Sequence, residues 1–264
     1  MLSKILPLEH SQKVVRGFTI VELLVTLAIF TILTVVVLAN YPSFNNKIAL
    51  EILAQNIALS IREAQVYGIS IRATDITETE LAPAYGAHFW GGTTDLRDIL
   101  HNGRRQYMLF SDSNTNKRYD GQREGYSYDC ESDPSSVNEC VQVYTITGQS
   151  EIGIICSDLL IDSAESDPVQ RLENFRTKLN ECKNDPILEA DVTFKRPNPE
   201  AYLTAITQRN RRIIDGASEL DIFVRSTGGT IGDRMVVVWN TGQISVQACD
   251  TRSNSPDYGK CNAR

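Results

Sequence analysis

The chain has 264 residues, of which 42% are hydrophobic and 22% charged, and its formal net charge at pH 7 is −7. This composition argues against general disorder, since disordered chains lack the apolar residues that a core needs. The roughly 200 residues beyond the N-terminal apolar segment suffice for one sizeable core.

The first informative segment is an apolar run that carries one acid. Residues 18–39 contain Glu22 as their only charged residue, and Arg16 and Gly17 precede the run. A charge inside a membrane costs about 2.5–3.5 kcal/mol, so it is retained where it has a partner or a task. If the chain is cut between Gly17 and Phe18, the new α-amine is a cation one helical turn from Glu22, or available to the Glu22 of a neighbouring copy.

The stretch Arg-Gly-Phe-Thr-Ile-Val-Glu-Leu-Leu-Val at residues 16–25 resembles the type III signal of type IV pilins and type II secretion pseudopilins. The resemblance implies that prepilin peptidase removes residues 1–17 and that Phe18 becomes N-methylphenylalanine. It also implies that Glu22 registers incoming subunits in a filament. The implied partners are prepilin peptidase, other pilin or pseudopilin subunits, the inner-membrane assembly platform and membrane lipid.

Two ordinary interpretations of the apolar run compete with this one. Residues 18–39 are also compatible with a signal anchor, or with a secretory signal that is cleaved near Ala39. A secretory apolar region has about 7–15 residues. The longer run here, at 1.5 Å per helical residue, is sufficient to span the roughly 30 Å hydrocarbon layer. We therefore expect a transmembrane half of a helix at residues 18–39.

The charges that flank the apolar run predict its orientation. Lys4, Lys13 and Arg16 precede the run, together with a single acid, Glu9. The positive-inside rule places this leader in the cytoplasm. We expect a single-pass protein of the inner (cytoplasmic) membrane with its head outside, and later a filament in the envelope or on the cell surface. Without the leader the chain keeps 23 basic and 32 acidic residues.

After the apolar run, residues 40–68 predict an amphipathic half of the same helix. Leu53, Ile57 and Ile61 recur at a spacing of four residues, as do Phe44, Ile48 and Ile52. This spacing is typical of a helix that packs on a globular head. Pro42 predicts a kink or a locally melted stretch. Gly68 predicts the helix end, and residues 69–72 alternate as a strand does.

The rest of the chain, residues 69–264, predicts a globular head rich in antiparallel β-strands. The fold class is therefore α+β, with a long helix packed on an antiparallel sheet, as in pilins. The predicted strands are 85–90, 106–111, 141–146, 151–156, 191–194, 220–225, 235–240 and 243–248. The last two form a hairpin around Asn240-Thr241-Gly242. Residues 157–190 predict an insertion with a helical patch at 169–179. The head resembles that of minor pseudopilins more loosely than the N terminus does.

All of the cysteines lie beyond the apolar run, in the part predicted to be exported. They are Cys130, Cys140, Cys156, Cys182, Cys249 and Cys261. An even number in an exported segment favours disulfides. Cys130 with Cys140 and Cys249 with Cys261 would close short polar loops, which leaves the remaining two for each other. A zinc site is the alternative, but no Cys-x-x-Cys or Cys/His grouping supports it.

One loop has the spacing of a calcium site. Its oxygen-bearing side chains at relative positions 1, 3, 5 and 9 are Asp112, Asn114, Asn116 and Asp120. Such a spacing allows a chain to wrap a hard cation. Lys117 and Arg123 stand where a complete EF-hand has Gly and Glu, which argues for a polar turn instead. The calcium site is one hypothesis and the turn is the other.

The sequence gives little support for enzyme activity or for nucleic-acid binding. The histidines, at positions 10, 88 and 101, have no catalytic motif around them, and His88 fits a strand. We predict no enzyme activity. Arg209, Arg211 and Arg212, with Lys195 and Arg196, form the one notable basic cluster, but the acidic mature chain argues against nucleic acid as a partner.

These patterns together predict a structural subunit of a type IV pilus or type II secretion pseudopilus, assembled through its N-terminal helix and of the minor kind. A filament-tip module that binds a secreted substrate, a surface or DNA is one alternative, with the insertion as the contact. A membrane-anchored extracellular domain that never polymerises is the other.

Overall fold

The structure is a computed structural model. It describes residues 17–70, 83–91, 103–120, 130, 139–158, 168–208, 211–227, 233–249 and 261–263. The chain divides into two compact units, residues 1–44 and residues 45–264. Within the described residues an N-terminal helix is followed by antiparallel sheets and a second helix, so the predicted α+β class is confirmed. The predictions for the leader before Gly17, and for His10, His101, Arg123 and Arg209, fall outside the described residues.

The first helix, α1, spans Ile20–Ile69 without interruption. Of the two effects predicted for Pro42, the locally melted stretch is therefore wrong, and the kink stays a prediction. A proline deletes one backbone hydrogen bond, and the helical turns on both sides hold the conformation. Gly68 lies inside the helix, and Ser70 forms the turn that follows. Ile69 is therefore not the start of a strand, and residues 71 and 72 of that predicted strand lie outside the described part.

The strands are numbered in chain order. They are β1 (Ala84–Trp90), β2 (Gln106–Asp112), β3 (Cys140–Thr145), β4 (Ser150–Ser157), β5 (Ile187–Phe194), β6 (Ala201–Thr207), β7 (Ile213–Asp215), β8 (Glu219–Ser226), β9 (Arg234–Trp239), β10 (Ile244–Cys249) and β11 (Cys261–Ala263). A short 3-10 helix, Gly103–Arg105, precedes β2. The second helix, α2, spans Pro168–Asn184.

The strands form two antiparallel sheets. One has six strands in the order β3-β2-β1-β5-β6-β7, and the other has five in the order β11-β10-β9-β8-β4. The predicted hairpin is confirmed, because Ile244 pairs with Val238 and Val246 with Val236 around the turn. At this turn Gly242 has a φ of 82°. Glycine adopts such a backbone conformation without the steric penalty that other residues incur.

The main core of the head joins the second half of α1 to both sheets. On the helix, Leu53, Ile57 and Ile61 are buried, in contact with residues such as Val192 of β5 and Ile222 of β8. By contrast, Ile48 and Ile52 remain 41% and 54% exposed. The apolar surface of the helix is thus wider than the surface that the sheets cover, which the repeating pattern did not predict.

A second cluster covers the other face of the five-stranded sheet. Phe175 and Leu179 of α2 pack there against Phe223, Met235 and Val237. The helical patch predicted at 169–179 is thus part of α2. The predicted insertion extends too far, because residues 187–190 already belong to β5, where they pair with β1 and β6.

Three disulfides join the same pairs that the loop spacing favours. They are Cys130–Cys140, Cys156–Cys182 and Cys249–Cys261. The second joins α2 to β4, and the third joins β10 to β11. Each one stabilises the head chiefly because it restricts the unfolded chain.

The eight strands predicted after residue 84 are confirmed, although β5 begins at Ile187 rather than at Asp191. Three strands were missed. β7 and β11 have three residues each, and β6 follows a Pro-Asn-Pro segment. Strands of this kind are held by pairing with their neighbours rather than by a strong pattern of their own.

Candidate assembly site and head sites

The N-terminal segment begins in an exposed, non-helical conformation. Gly17 and Phe18 precede the helix, and Phe18 is 76% exposed. A Cβ atom built on Gly17 would meet nothing within 4 Å. The peptide bond between these two residues is therefore not covered by other described parts of the chain.

Thr19 caps the start of α1. Its Oγ1 accepts a hydrogen bond from the backbone N–H of Glu22 at 3.2 Å, and its carbonyl accepts one from the N–H of Leu23 at 3.1 Å. This is the arrangement of an N-cap, which satisfies donors of the first turn. The Glu22 side chain lies in that first turn. A carboxylate is favoured there by the positive end of the helix dipole.

The apolar half of α1 satisfies its other polar groups internally. The hydroxyls of Thr26, Thr31 and Thr34 donate to backbone carbonyls three or four residues earlier. Hydroxyls bonded in this way tolerate an apolar environment. Among the described residues, no hydrogen bond or salt bridge reaches the Glu22 carboxylate. The segment therefore presents one charged group for which the described chain supplies no partner.

The same half of α1 exposes its apolar side chains. Phe30, Leu33 and Val37 are exposed by 60% or more. Within the described residues, α1 is the one helix long and apolar enough to cross a membrane, with a mean hydropathy of 2.7 over 18 residues. Length, composition and exposure together fit a membrane anchor.

An apolar helix with one acid in its first turn, followed by antiparallel sheets, is an α+β arrangement consistent with the pilin-like fold. Residues 12–38 match the family model described as the prokaryotic N-terminal methylation motif, the signal of type IV pilins and pseudopilins. The motif implies processing by prepilin peptidase and assembly with other pilin subunits. Proteins of this motif family are structural rather than enzymatic. No curated protein and no solved structure matches the chain.

In the head, hydrogen bonds join the polar side chains of the loop after β2, although no group of three or more His, Cys, Asp or Glu residues in the described part of the chain is arranged to hold a metal ion. The carboxylate of Asp112 accepts hydrogen bonds from the backbone N–H groups of Asn116, at 3.1 Å, and Lys117, at 2.9 Å. The side-chain amides of Asn114 and Asn116 both donate to Oδ2 of Asp120. The structure thus brings together all four residues of the predicted calcium loop.

A further carboxylate contacts this loop from outside it. The carboxylate of Glu139 is fully buried and accepts hydrogen bonds from the N–H groups of Ser113, at 3.1 Å, and Asp120, at 2.9 Å. Sequence reasoning missed this residue. No local spacing pointed to it, because 18 residues separate it from Asp120 in the chain.

The two buried carboxyls of this loop have altered acidity. Burial raises the pKa of Asp112, although backbone donors from Lys117 and Asn116 oppose the shift. Burial also raises the pKa of Glu139, and the nearby charge of Asp120 adds to that effect. Each carboxylate therefore loses hydration that its hydrogen bonds do not fully replace.

The remaining residues singled out from the sequence serve the fold. His88 lies in β1, as predicted, and its Nδ1 is 2.6 Å from Oδ1 of Asp191. Both side chains are buried. His88 also packs against Trp90 and Tyr119. The pair is therefore enclosed between the sheet and the loop.

The predicted basic cluster does not come together. Lys195 and Arg196 follow β5 at the Ala201 end of β6, whereas Arg212 lies at the other end of β6, where its carbonyl accepts from the N–H of Thr207. At about 3.3 Å per residue, the length of β6 separates these groups by roughly 20 Å. In addition, burial raises the pKa of Asp112 and the charge of Lys195 partly opposes that shift, so Lys195 lies near the loop at residues 112–120.

Proposed function

We propose that this protein is a structural subunit of a type IV pilus or type II secretion pseudopilus. In this proposal prepilin peptidase cuts the bond between Gly17 and Phe18, Phe18 is N-methylated, and the subunit assembles through α1. The match of residues 12–38 to the methylation motif carries the proposal. The exposed apolar surface of α1 and the Glu22 carboxylate, which has no partner among the described residues, support it.

The apolar half of α1 requires a partner outside the chain. Each large apolar side chain favours removal from water by about 1.5–3 kcal/mol. The bilayer provides such an environment before assembly. Packing against the equivalent helices of neighbouring subunits provides it in a filament, so extraction from the membrane does not expose the helix to water.

Glu22 would select the axial position of an incoming subunit. Cleavage after Gly17 creates an amine on Phe18, and this amine keeps its positive charge after N-methylation. An unpaired carboxylate in an apolar environment is costly, and an oppositely charged group within hydrogen-bonding distance offsets that cost. A docked position that joins Glu22 to the amine of a neighbour is therefore favoured over other positions.

The test combines N-terminal sequencing with an assembly assay. The mature protein is expected to begin with N-methylated Phe18. Glu22→Ala and Glu22→Gln are expected to reduce incorporation into sheared filaments at least tenfold, although the leader is still removed. Thr34→Ala is the matched control, because the Thr34 hydroxyl bonds within the helix. An uncut chain or a mature start at Asn40 would refute the proposal. Normal assembly of the Glu22 variants would remove the role in registry.

We also propose that the loop 112–120 holds a calcium ion. The donors are carboxylate and amide oxygens, which calcium prefers. Lys117 has a φ of 67°, the conformation that EF-hands obtain from glycine at this position. Its ammonium group lies over the ring of Tyr202, 3.4 Å from the ring centre. In this proposal Glu139, which accepts hydrogen bonds from Ser113 and Asp120, would take the place of the acid that an EF-hand has at its twelfth position. Calcium would neutralise the carboxylates of Asp112 and Glu139, whose pKa values are raised by burial.

Thermal unfolding of the full chain in detergent tests this proposal. If the Kd is about 10⁻⁴ M, calcium at a hundred times that value stabilises the head by about 2.7 kcal/mol. Asp120→Ala is expected to abolish the gain, and Thr115→Ala, at an exposed residue of the same loop, to retain it. The proposal is wrong if calcium has no effect, or if magnesium at the same ionic strength has an equal one.

A further inference from the structure

A groove on the head lies between α1 and the segment that connects β3 to β4. Its volume is about 550 Å³. We call it the Glu63 groove, and the residues used below are Ile52, Leu59, Ser60, Glu63, Tyr107 and Tyr144. All of them belong to the second compact unit. A concave site with apolar walls and a few polar groups is the usual form of a binding site.

The rim of the Glu63 groove is apolar and exposed. Ile52 is 54% exposed and Leu59 is 58% exposed, and both follow α1 along one side of the groove. Ile48 and Val66 extend the same helix face and are also exposed. Single apolar residues on a surface are ordinary, whereas a row of them beside a cavity marks a contact surface.

The polar part of the groove is an acid held by tyrosines. The Glu63 carboxylate accepts hydrogen bonds from the hydroxyls of Tyr67, at 2.7 Å, and Tyr144, at 2.8 Å. Burial and the bond to Glu63 raise the pKa of Tyr144. This tyrosine therefore stays a neutral donor to the Glu63 carboxylate. Among the described residues, no lysine, arginine or histidine forms an ion pair with Glu63.

Stacked aromatic rings form the wall of the groove beside Glu63. The ring of Tyr107 stacks on those of Phe89 and Tyr144, with centroids 5.6 Å and 4.9 Å away, and its hydroxyl is 3.2 Å from that of Ser60. A positive group beside Glu63 therefore meets a carboxylate next to an apolar aromatic wall. The chemistry of the groove selects a basic side chain that is accompanied by an apolar one.

The chain carries a basic side chain beside an apolar one at an edge of the six-stranded sheet. Tyr144 lies in β3, which is one edge of the six-stranded sheet, and β7 is the other edge. Arg211 and Arg212 are exposed directly before β7, and Ile213 is 52% exposed. The two edges are thus complementary in charge and in apolar surface.

We propose that the Glu63 groove receives the Arg212–Ile213 edge of a second copy of this chain. This proposal rests on the proposed function as a filament subunit. The two surfaces lie on different edges, so the contact is heterologous and leaves a free groove and a free edge at the ends of a pair. Repetition then adds heads in one direction, in addition to the packing of α1.

Site-specific crosslinking of the full chain in membranes tests this contact. A photoreactive residue replaces Ile213, and Gln170, exposed on α2, takes the same replacement as the control. The label at 213 is expected to yield a dimer whose crosslink maps to residues 49–63 or 144–150, and the label at 170 is not. Glu63→Lys is expected to reduce this dimer about fivefold, the upper range for an exposed ion pair.

A charge exchange separates this contact from a folding defect. Arg212→Glu is expected to reduce the dimer as Glu63→Lys does, and the double variant to restore it. Glu63→Gln, which keeps an oxygen acceptor for the tyrosines, is expected to weaken the dimer while the head stays folded. No dimer, equal dimers from both labels, no recovery in the double variant, or a crosslink to another protein would overturn the proposal. N-terminal sequencing of the same material separates these outcomes from a failure of leader cleavage.

Discussion

For the substitution Gly68→Ala, helix propensity and tertiary packing predict opposite changes in the free energy of unfolding. Gly68 lies near the end of α1, where alanine would favour the helix by up to about 1 kcal/mol. A Cβ at this position, however, would lie 2.5 Å from the carbonyl oxygen of Phe194 and 2.9 Å from its carbonyl carbon. These are backbone atoms of β5, which is paired on both sides and is unable to rotate away.

The magnitude follows from these two effects. Overpacking of a core costs about 1–3 kcal/mol, and the upper value applies because the contact is with backbone. After subtraction of the helical gain, Gly68→Ala is expected to lower the free energy of unfolding by about 2 kcal/mol. The helix must otherwise move away from β5, which would open the core around Ile61 and Ala64.

Urea unfolding of the full chain in detergent measures this effect. Trp90 in β1 and Trp239 in β9 are the only tryptophans, so their fluorescence reports on the head. Asn56→Ala is the control, because Asn56 is exposed on the same helix and alanine there is expected to add about 0.5 kcal/mol. If Gly68→Ala is as stable as the wild type or more stable, the close packing of α1 on β5 is refuted.

Three further predictions concern the head. Asp112→Asn is expected to cost about 1–3 kcal/mol in urea unfolding, because its amide would face a backbone N–H that now donates to a carboxylate oxygen. The stability of the calcium-free head is expected to fall as the pH rises above the ordinary pKa values of Asp112 and Glu139. Because burial raises both pKa values, the folded state binds more protons than the unfolded state in that range. Unfolding curves recorded over a series of pH values would contradict this if the free energy of unfolding increased with pH in that range. Replacement of Cys156 and Cys182 by alanine is expected to lower stability by about 2–4 kcal/mol, and an unchanged midpoint would show that the bridge is dispensable.

The elements with strong local patterns were predictable. The first helix follows from the apolar run at residues 18–39 and from the four-residue spacing of the apolar residues after it. The β9–β10 hairpin follows from Gly242 between alternating apolar residues. In contrast, β7 and β11 were missed, because a strand of three residues is defined by its neighbour and not by its own pattern.

The head sites were predictable only in part. The four residues of the loop 112–120 lie within nine positions of one another, so their spacing already suggested a shared ligand. Glu139 joins them through the path of β3 beside β2, which no spacing encodes. Similarly, no local pattern links Glu63 to Tyr144, whose hydroxyl donates to it from 81 positions further along the chain.

The sequence by itself determined the membrane-length helix, its single acid and the signal around Gly17, because each depends on the order of neighbouring residues and on the transfer of side chains into lipid. Tertiary structure alone decided which apolar residues of α1 are covered. Ile57 is buried and Ile52 is exposed, although both belong to the same amphipathic pattern. The reason is geometric: the two sheets cover only part of the apolar helix surface, and the uncovered part borders the Glu63 groove.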